Sequence, residues 1–123
     1  MAKNNSNAND LITHIVEGIE NLKGENIQLL DLRAIDNTPC DYFVVCSGNS
    51  NTQVNAIVQS VQKTVSKAVH EKPFHTEGQD NAEWVLLDYV DVVVHVFQKN
   101  IRAYYNLEAL WGDAKTTQIA SNY

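Results

Sequence analysis

Apolar residues recur at helical spacing near the start of the chain, at Leu11, Ile12, Ile15, Val16, Ile19 and Leu22, after a polar, asparagine-rich run from Asn4 to Asn9. Steps of three and four residues place them on one face, so the pattern predicts an amphipathic helix. Gly24, just beyond it, suits a left-handed helix end because it has no Cβ to clash. The pattern then shortens. Ile27 to Leu32 reads as a buried strand and Asp36-Asn37-Thr38-Pro39 as a loop. Tyr42 to Cys46 reads as a second strand, whose apolar, β-branched and aromatic composition predicts an interior place in a sheet.

Ser50-Asn51-Thr52-Gln53 has the form of a capping box, and Val54, Ile57, Val58, Val61, Val65, Ala68 and Val69 then predict a helix of about five turns with a wide apolar stripe. Pro73 ends it. Phe74 to Thr76 predicts a brief edge strand and Gly78 to Asn81 a polar loop. Trp84 to Leu87 and Val92 to Phe97 predict two more strands, joined by a tight antiparallel connection at Asp88-Tyr89-Val90-Asp91. Ile101, Tyr104, Tyr105, Leu107, Leu110 and Trp111 give a closing helix its apolar contacts. The order of elements predicts an α/β fold: a single domain over residues 10–114, with a mixed sheet of about five strands and helices packed on it. Residues 1–9 and 115–123 are expected to be flexible.

A length of 123 residues is enough to bury one core without disulfides or a structural metal. Cys40 and Cys46 form no C-x-x-C pair, which fits a reducing compartment. No apolar run approaches the roughly 20 residues needed to cross a bilayer, and the N-terminus has neither a secretory apolar region nor an arginine-rich transit pattern. These features predict a cytoplasmic, bacterial protein without a membrane partner. The net charge of −6, with nine lysines and arginines, argues against extensive direct contact with nucleic acid and favours a basic protein partner.

Candidate chemistry is sparse. Ser47-Gly48-Asn49-Ser50 before a helix offers backbone donors to a phosphate, but it lacks a P-loop lysine and a G-x-G-x-x-G, so ordinary capping is the better reading. A nucleotidyltransferase needs clustered carboxylates for two metal ions. Asp91-Val92-Val93 has valine where a second acid would stand, and Asp88 and Asp91 flank a turn rather than share a strand face. His14, His70, His75 and His95 have no metal-ligand spacing, and His95 in a valine-rich strand reads as a hydrogen-bonded, partly buried ring. No cofactor, metal or catalytic set is expected.

The stretch from Glu83 to Trp111 holds both tryptophans and three of the five tyrosines. Any one of these aromatics alone would be read as core. Together, on strands with more apolar surface than two helices cover, and rimmed by charge, they have the composition of a binding hot spot. The partner-facing residues this predicts are Trp84, Leu86, Asp88, Tyr89 and Asp91, with Arg102 and Tyr105. Trp84 and Tyr89 would supply buried area, and Asp88 and Asp91 would meet basic groups.

Four segments carry a family resemblance: D-Y-F-V-V-C-S-G-N-S-N-T-Q-V at Asp41 to Val54, E-G-Q-D-N-A-E-W-V-L-L-D at Glu77 to Asp88, D-V-V-V-H-V-F at Asp91 to Phe97, and R-A-Y-Y-N-L-E-A-L-W-G-D-A at Arg102 to Ala114. With these the chain resembles the ribosome-silencing factor, or Iojap-like, family over nearly its whole length. The resemblance implies a nonenzymatic translation repressor that binds the large ribosomal subunit through its fourteenth ribosomal protein and sterically prevents the small subunit from joining. It further implies a part in large-subunit biogenesis, homodimerisation away from the ribosome, and a nucleotidyltransferase-like fold without the catalytic acids. The alternatives are a residual nucleotide-binding enzyme using Ser47 to Ser50, and a dimeric stress adaptor without ribosome contact. One departure stands out: the family pattern has glycine between the last two strands, as D-x-G-D, where this chain has Val90. Valine disfavours positive φ, so the geometry of that turn and the placement of Tyr89 are open from sequence.

Overall fold

The computed structural model describes residues 7–121 and 123. Asn7 caps the first helix, α1 (Ala8–Asn21), accepting the Asp10 N–H at 2.9 Å, so the helix starts inside the segment expected to be flexible. The remainder of that segment, residues 1–6, lies outside the described residues. The end of α1 corrects the expectation for Gly24. The positive φ, 59°, is taken by Lys23, while the Gly24 N–H closes back on the Ile19 carbonyl at 3.0 Å. Glycine is needed at position 24 for space rather than for its φ, because a Cβ there would lie 2.4 Å from Ile19 Cγ2.

Next come β1 (Glu25–Asp31), β2 (Tyr42–Gly48), and α2 (Asn51–Val69), whose cap Ser50 accepts from the Gln53 N–H. The Gln53 side-chain oxygen, Oε1, in turn accepts the Asn49 N–H at 2.6 Å. After α2 lie β3 (His75–Glu77), β4 (Trp84–Asp88) and β5 (Val92–Gln98). The predicted closing helix is two pieces, α3 (Lys99–Tyr105) and α4 (Leu107–Leu110), hinged at Asn106 with φ 50°. Asparagine tolerates this left-handed conformation, and its N–H still bonds the Arg102 carbonyl at 2.9 Å.

The sheet has six strands in the order β3-β4-β5-β2-β1-β6, one more than expected. The addition, β6 (Lys115–Gln118), occupies the segment read as a flexible tail and pairs antiparallel with β1, Lys115 opposite Asp31. Its four side chains are all exposed, so it is held by backbone pairing and left no apolar signal. β2 and β5 lie side by side at the centre and are parallel, whereas β4 and β1 flank them antiparallel. Central, doubly covered positions explain why both strands are apolar on both faces.

Strand alternation builds two cores. One face, with Val44, Cys46, Val85, Leu87, Val94 and Val96, packs under α1 and α2. The two helices meet closely: a Cβ on Gly18 would sit 2.7 Å from Val61 Cα, and Ser60 Oγ donates to the Gly18 carbonyl at 2.7 Å. The other face, with Phe43, Val45, Val93 and Phe97, is buried under the short α3–α4 segment, Leu32 and Cys40, and its cover thins over β4, where Trp84 and Leu86 are only half-buried. Among the described residues no helix is long and apolar enough to cross a membrane.

Candidate protein-binding face

The thinly covered face carries the aromatic surface. On β4, alternation turns Trp84, Leu86 and Asp88 to this side, each half-buried, while Val85 and Leu87 go under the helices. The Trp84 ring stacks on Phe97, centroids 4.8 Å apart, and touches Tyr105 of α3 at 4.9 Å. Its Nε1–H donates to His95 Nδ1 at 3.1 Å. Tyr105 is 49% exposed and meets Tyr104, itself 80% exposed, edge to face at 5.2 Å. Leu110 on α4 adds another exposed apolar side chain, and Trp111 packs on Phe43 at 5.6 Å. This is a surface rather than a pocket. A groove of about 780 Å³ runs between α1 and α2, lined by His14, Lys63 and Lys67 among others, on the other side of the sheet.

Not every predicted binding residue belongs to that face. Tyr89 is 5% exposed and packs into the core under α1 and α2. Burial pushes its hydroxyl well above the ordinary phenol range. Tyr89 therefore cannot supply contact area to a partner on the aromatic face, and its expected role there is corrected. The cause is the turn: the Asp91 N–H bonds the Tyr89 carbonyl at 3.0 Å across Val90, whose φ is +77°. That is a γ-turn of the rare positive-φ kind, and it leaves Val90 exposed while Tyr89 points inward. Asp88 Oδ1 accepts the Val90 N–H at 2.7 Å, and Asp91 is exposed.

Arg102 also differs from its predicted role. It is 8% exposed, with Nε and Nη2 on Glu108 Oε2 at 2.9 and 2.8 Å and Nη1 on the Asn26 carbonyl and Ser47 Oγ at 2.7 and 2.9 Å. A register shift between Glu25 and Gln28, with Asn26 at φ 51°, accompanies this carbonyl contact. Arg102 thus clasps α3 and α4 to the sheet and spends four of its five N–H donors inside the protein, which fits a structural role rather than a partner contact. Trp84, Leu86, Asp88, Asp91 and Tyr105 remain as surface candidates. Phe43, His95, Tyr104, Leu110 and Trp111 also belong to the face, although none was among the residues predicted to meet the partner. Period-2 alternation along β2 and β5 was the available signal for Phe43 and His95.

Two donors near Ser47 to Ser50 that a phosphate would use are engaged internally, the Asn49 and Gln53 N–H groups by Gln53 Oε1 and Ser50 Oγ, and the Ser47 hydroxyl oxygen accepts from Arg102 Nη1. Among the described residues no three His, Cys, Asp or Glu side chains are placed to hold a metal. Burial pushes the Cys40 and Cys46 thiols up to about 11 and about 12, so neither is a ready nucleophile.

Residues 5–122 match the family model described as "Ribosomal silencing factor during starvation". The chain is 42% identical over 110 residues to the ribosomal silencing factor RsfS of Halalkalibacterium halodurans, covering 89% of this chain and 92% of that protein. It is 45% identical over 98 residues to RsfS of Bacillus subtilis, with 79% and 80% covered. The fold superimposes on a crystal structure of a Chromobacterium violaceum protein with a TM-score of 0.81 at 34% identity, covering 94% of this chain and 95% of that one. The chain belongs to the ribosomal silencing factor family.

Proposed function

We propose that this protein represses translation by occupying the large ribosomal subunit through the subunit's fourteenth ribosomal protein, so that the small subunit cannot join. Family membership supports the ribosomal setting. The observation that carries the choice of surface is the Trp84–Phe97–Tyr105 aromatic cluster, on the sheet face that α1 and α2 do not cover. Trp84, Leu86 and Tyr105 supply the apolar centre, while Asp88 and Asp91 at the end of β4 meet basic groups. A net charge of −6 draws such a partner in. The action is regulatory and needs no turnover, and the setting is the bacterial cytoplasm. Aid to large-subunit biogenesis and a homodimer in the free state belong to the same reading.

Cosedimentation with purified large subunits tests the surface. Truncating a hot-spot aromatic costs about 2 kcal/mol or more, so Trp84→Ala is expected to weaken binding at least roughly thirtyfold. Circular dichroism must show the variant folded, since Trp84 also packs on Phe97. Equal recovery of a folded Trp84→Ala protein and the wild type would remove this face from the reading.

A further inference from the structure

His95 sits beneath the aromatic face, 4% exposed, and touches its neighbours in two ways. Its ring packs edge to face on Phe43 at 4.5 Å. Its Nδ1 lies 3.1 Å from Trp84 Nε1. An indole N–H can only donate, so Nδ1 must offer a lone pair. The imidazole is therefore neutral with its proton on Nε2, an atom that is buried without a partner among the described residues. Desolvation favours the same form, holding the ring's pKa down at about 4.

Keeping a polar ring inside a valine-rich strand, with one nitrogen unpartnered, is costly where an apolar residue would pack. What the ring supplies in return is a fixed acceptor for one side chain. We propose that His95 is a positioning residue for Trp84: it anchors the indole N–H inside the protein and so presents the ring's carbon surface to the partner. The proposal rests on the reading of Trp84 as a binding residue. It also specifies the partner's chemistry at that point. With the N–H engaged internally, the group that meets Trp84 is an apolar or cationic side chain, not a hydrogen-bond acceptor.

Three substitutions separate positioning from mere packing. His95→Leu keeps bulk but removes the acceptor, His95→Asn places an oxygen near the Nδ1 position, and His95→Gln places it farther out. Binding of each to purified large subunits is measured in wild-type and Trp84→Ala backgrounds. The two tryptophans give two indole N–H resonances, so the Trp84 signal reports the bond directly. His95→Leu and His95→Gln are expected to move that signal and weaken binding roughly tenfold, whereas His95→Asn retains both. In the Trp84→Ala background the His95 substitutions should have no further effect. Equal losses in both backgrounds would overturn positioning while leaving the face intact, and so would an unmoved indole signal. Should His95→Leu fail to fold, the Asn and Gln variants carry the comparison, and equal affinity of those two overturns the proposal. A folded Trp84→Ala protein that binds normally removes the face and this inference with it.

Discussion

Arg102 closes on Glu108 across the Asn106 hinge, joining the end of α3 to the start of α4 through one carboxylate oxygen while its Nη1 grips the Asn26 carbonyl and Ser47 on the sheet. The aromatic face is carried by this segment, since Tyr104 and Tyr105 end α3 and Leu110 ends α4. Breaking this pair is costly, because removing Arg102 strands the half-buried Glu108 carboxylate and takes the donor from the Asn26 carbonyl and the Ser47 hydroxyl oxygen.

Arg102→Ala should therefore lower unfolding stability by about 3 kcal/mol in urea denaturation. Arg102→Lys should recover only part of it, because an ammonium cannot span the carboxylate, the carbonyl and the hydroxyl in one plane. Wild-type stability for Arg102→Ala would show that the clasp is not holding the segment.

Val90 holds a backbone conformation that its branched side chain disfavours, φ +77°. Such a position stores roughly 1–3 kcal/mol of strain, and glycine recovers it less the entropy it adds to the unfolded chain. Val90→Gly is expected to stabilise the protein by about 1 kcal/mol, read as a higher urea midpoint at unchanged slope. A lower midpoint would mean that the turn is not strained. The aromatic cluster should be unaffected, since Val90 lies outside it.

Acid should weaken the fold through His95. Burial holds its folded pKa near 4, below the ordinary 6.5. Between those values the unfolded chain binds more protons, so stability is fully present above about pH 6.5 and is lost as pH falls toward about 4. The loss from pH 7 to pH 5 is roughly 2 kcal/mol. Unfolding free energies at both pH values, for wild type and His95→Leu, isolate this contribution. The variant should lose less stability over that interval; an identical loss would contradict it.

Apolar periodicity made α1, α2 and the four inner strands readable, because burial on one or both faces leaves a regular trace. β6 left none: Lys115, Thr116, Thr117 and Gln118 are all exposed and held by backbone pairing. The site was legible to the same degree. Alternation along β4 placed Trp84, Leu86 and Asp88 on one face correctly. Tyr89 was placed on the wrong side because side-chain direction at a turn depends on a φ that valine does not announce. Arg102 was given a surface role because its partners are 76, 55 and six residues away, and a long-range clasp has no spacing to read.

On the proposed reading, a bound protein blocks subunit joining by occupancy alone. Light scattering of purified small and large subunits, mixed at a magnesium concentration that supports association, tests it most directly. With every large subunit saturated by this protein, the association signal should fall to that of separate subunits and return when the protein is washed away. Full association at saturation would contradict the account.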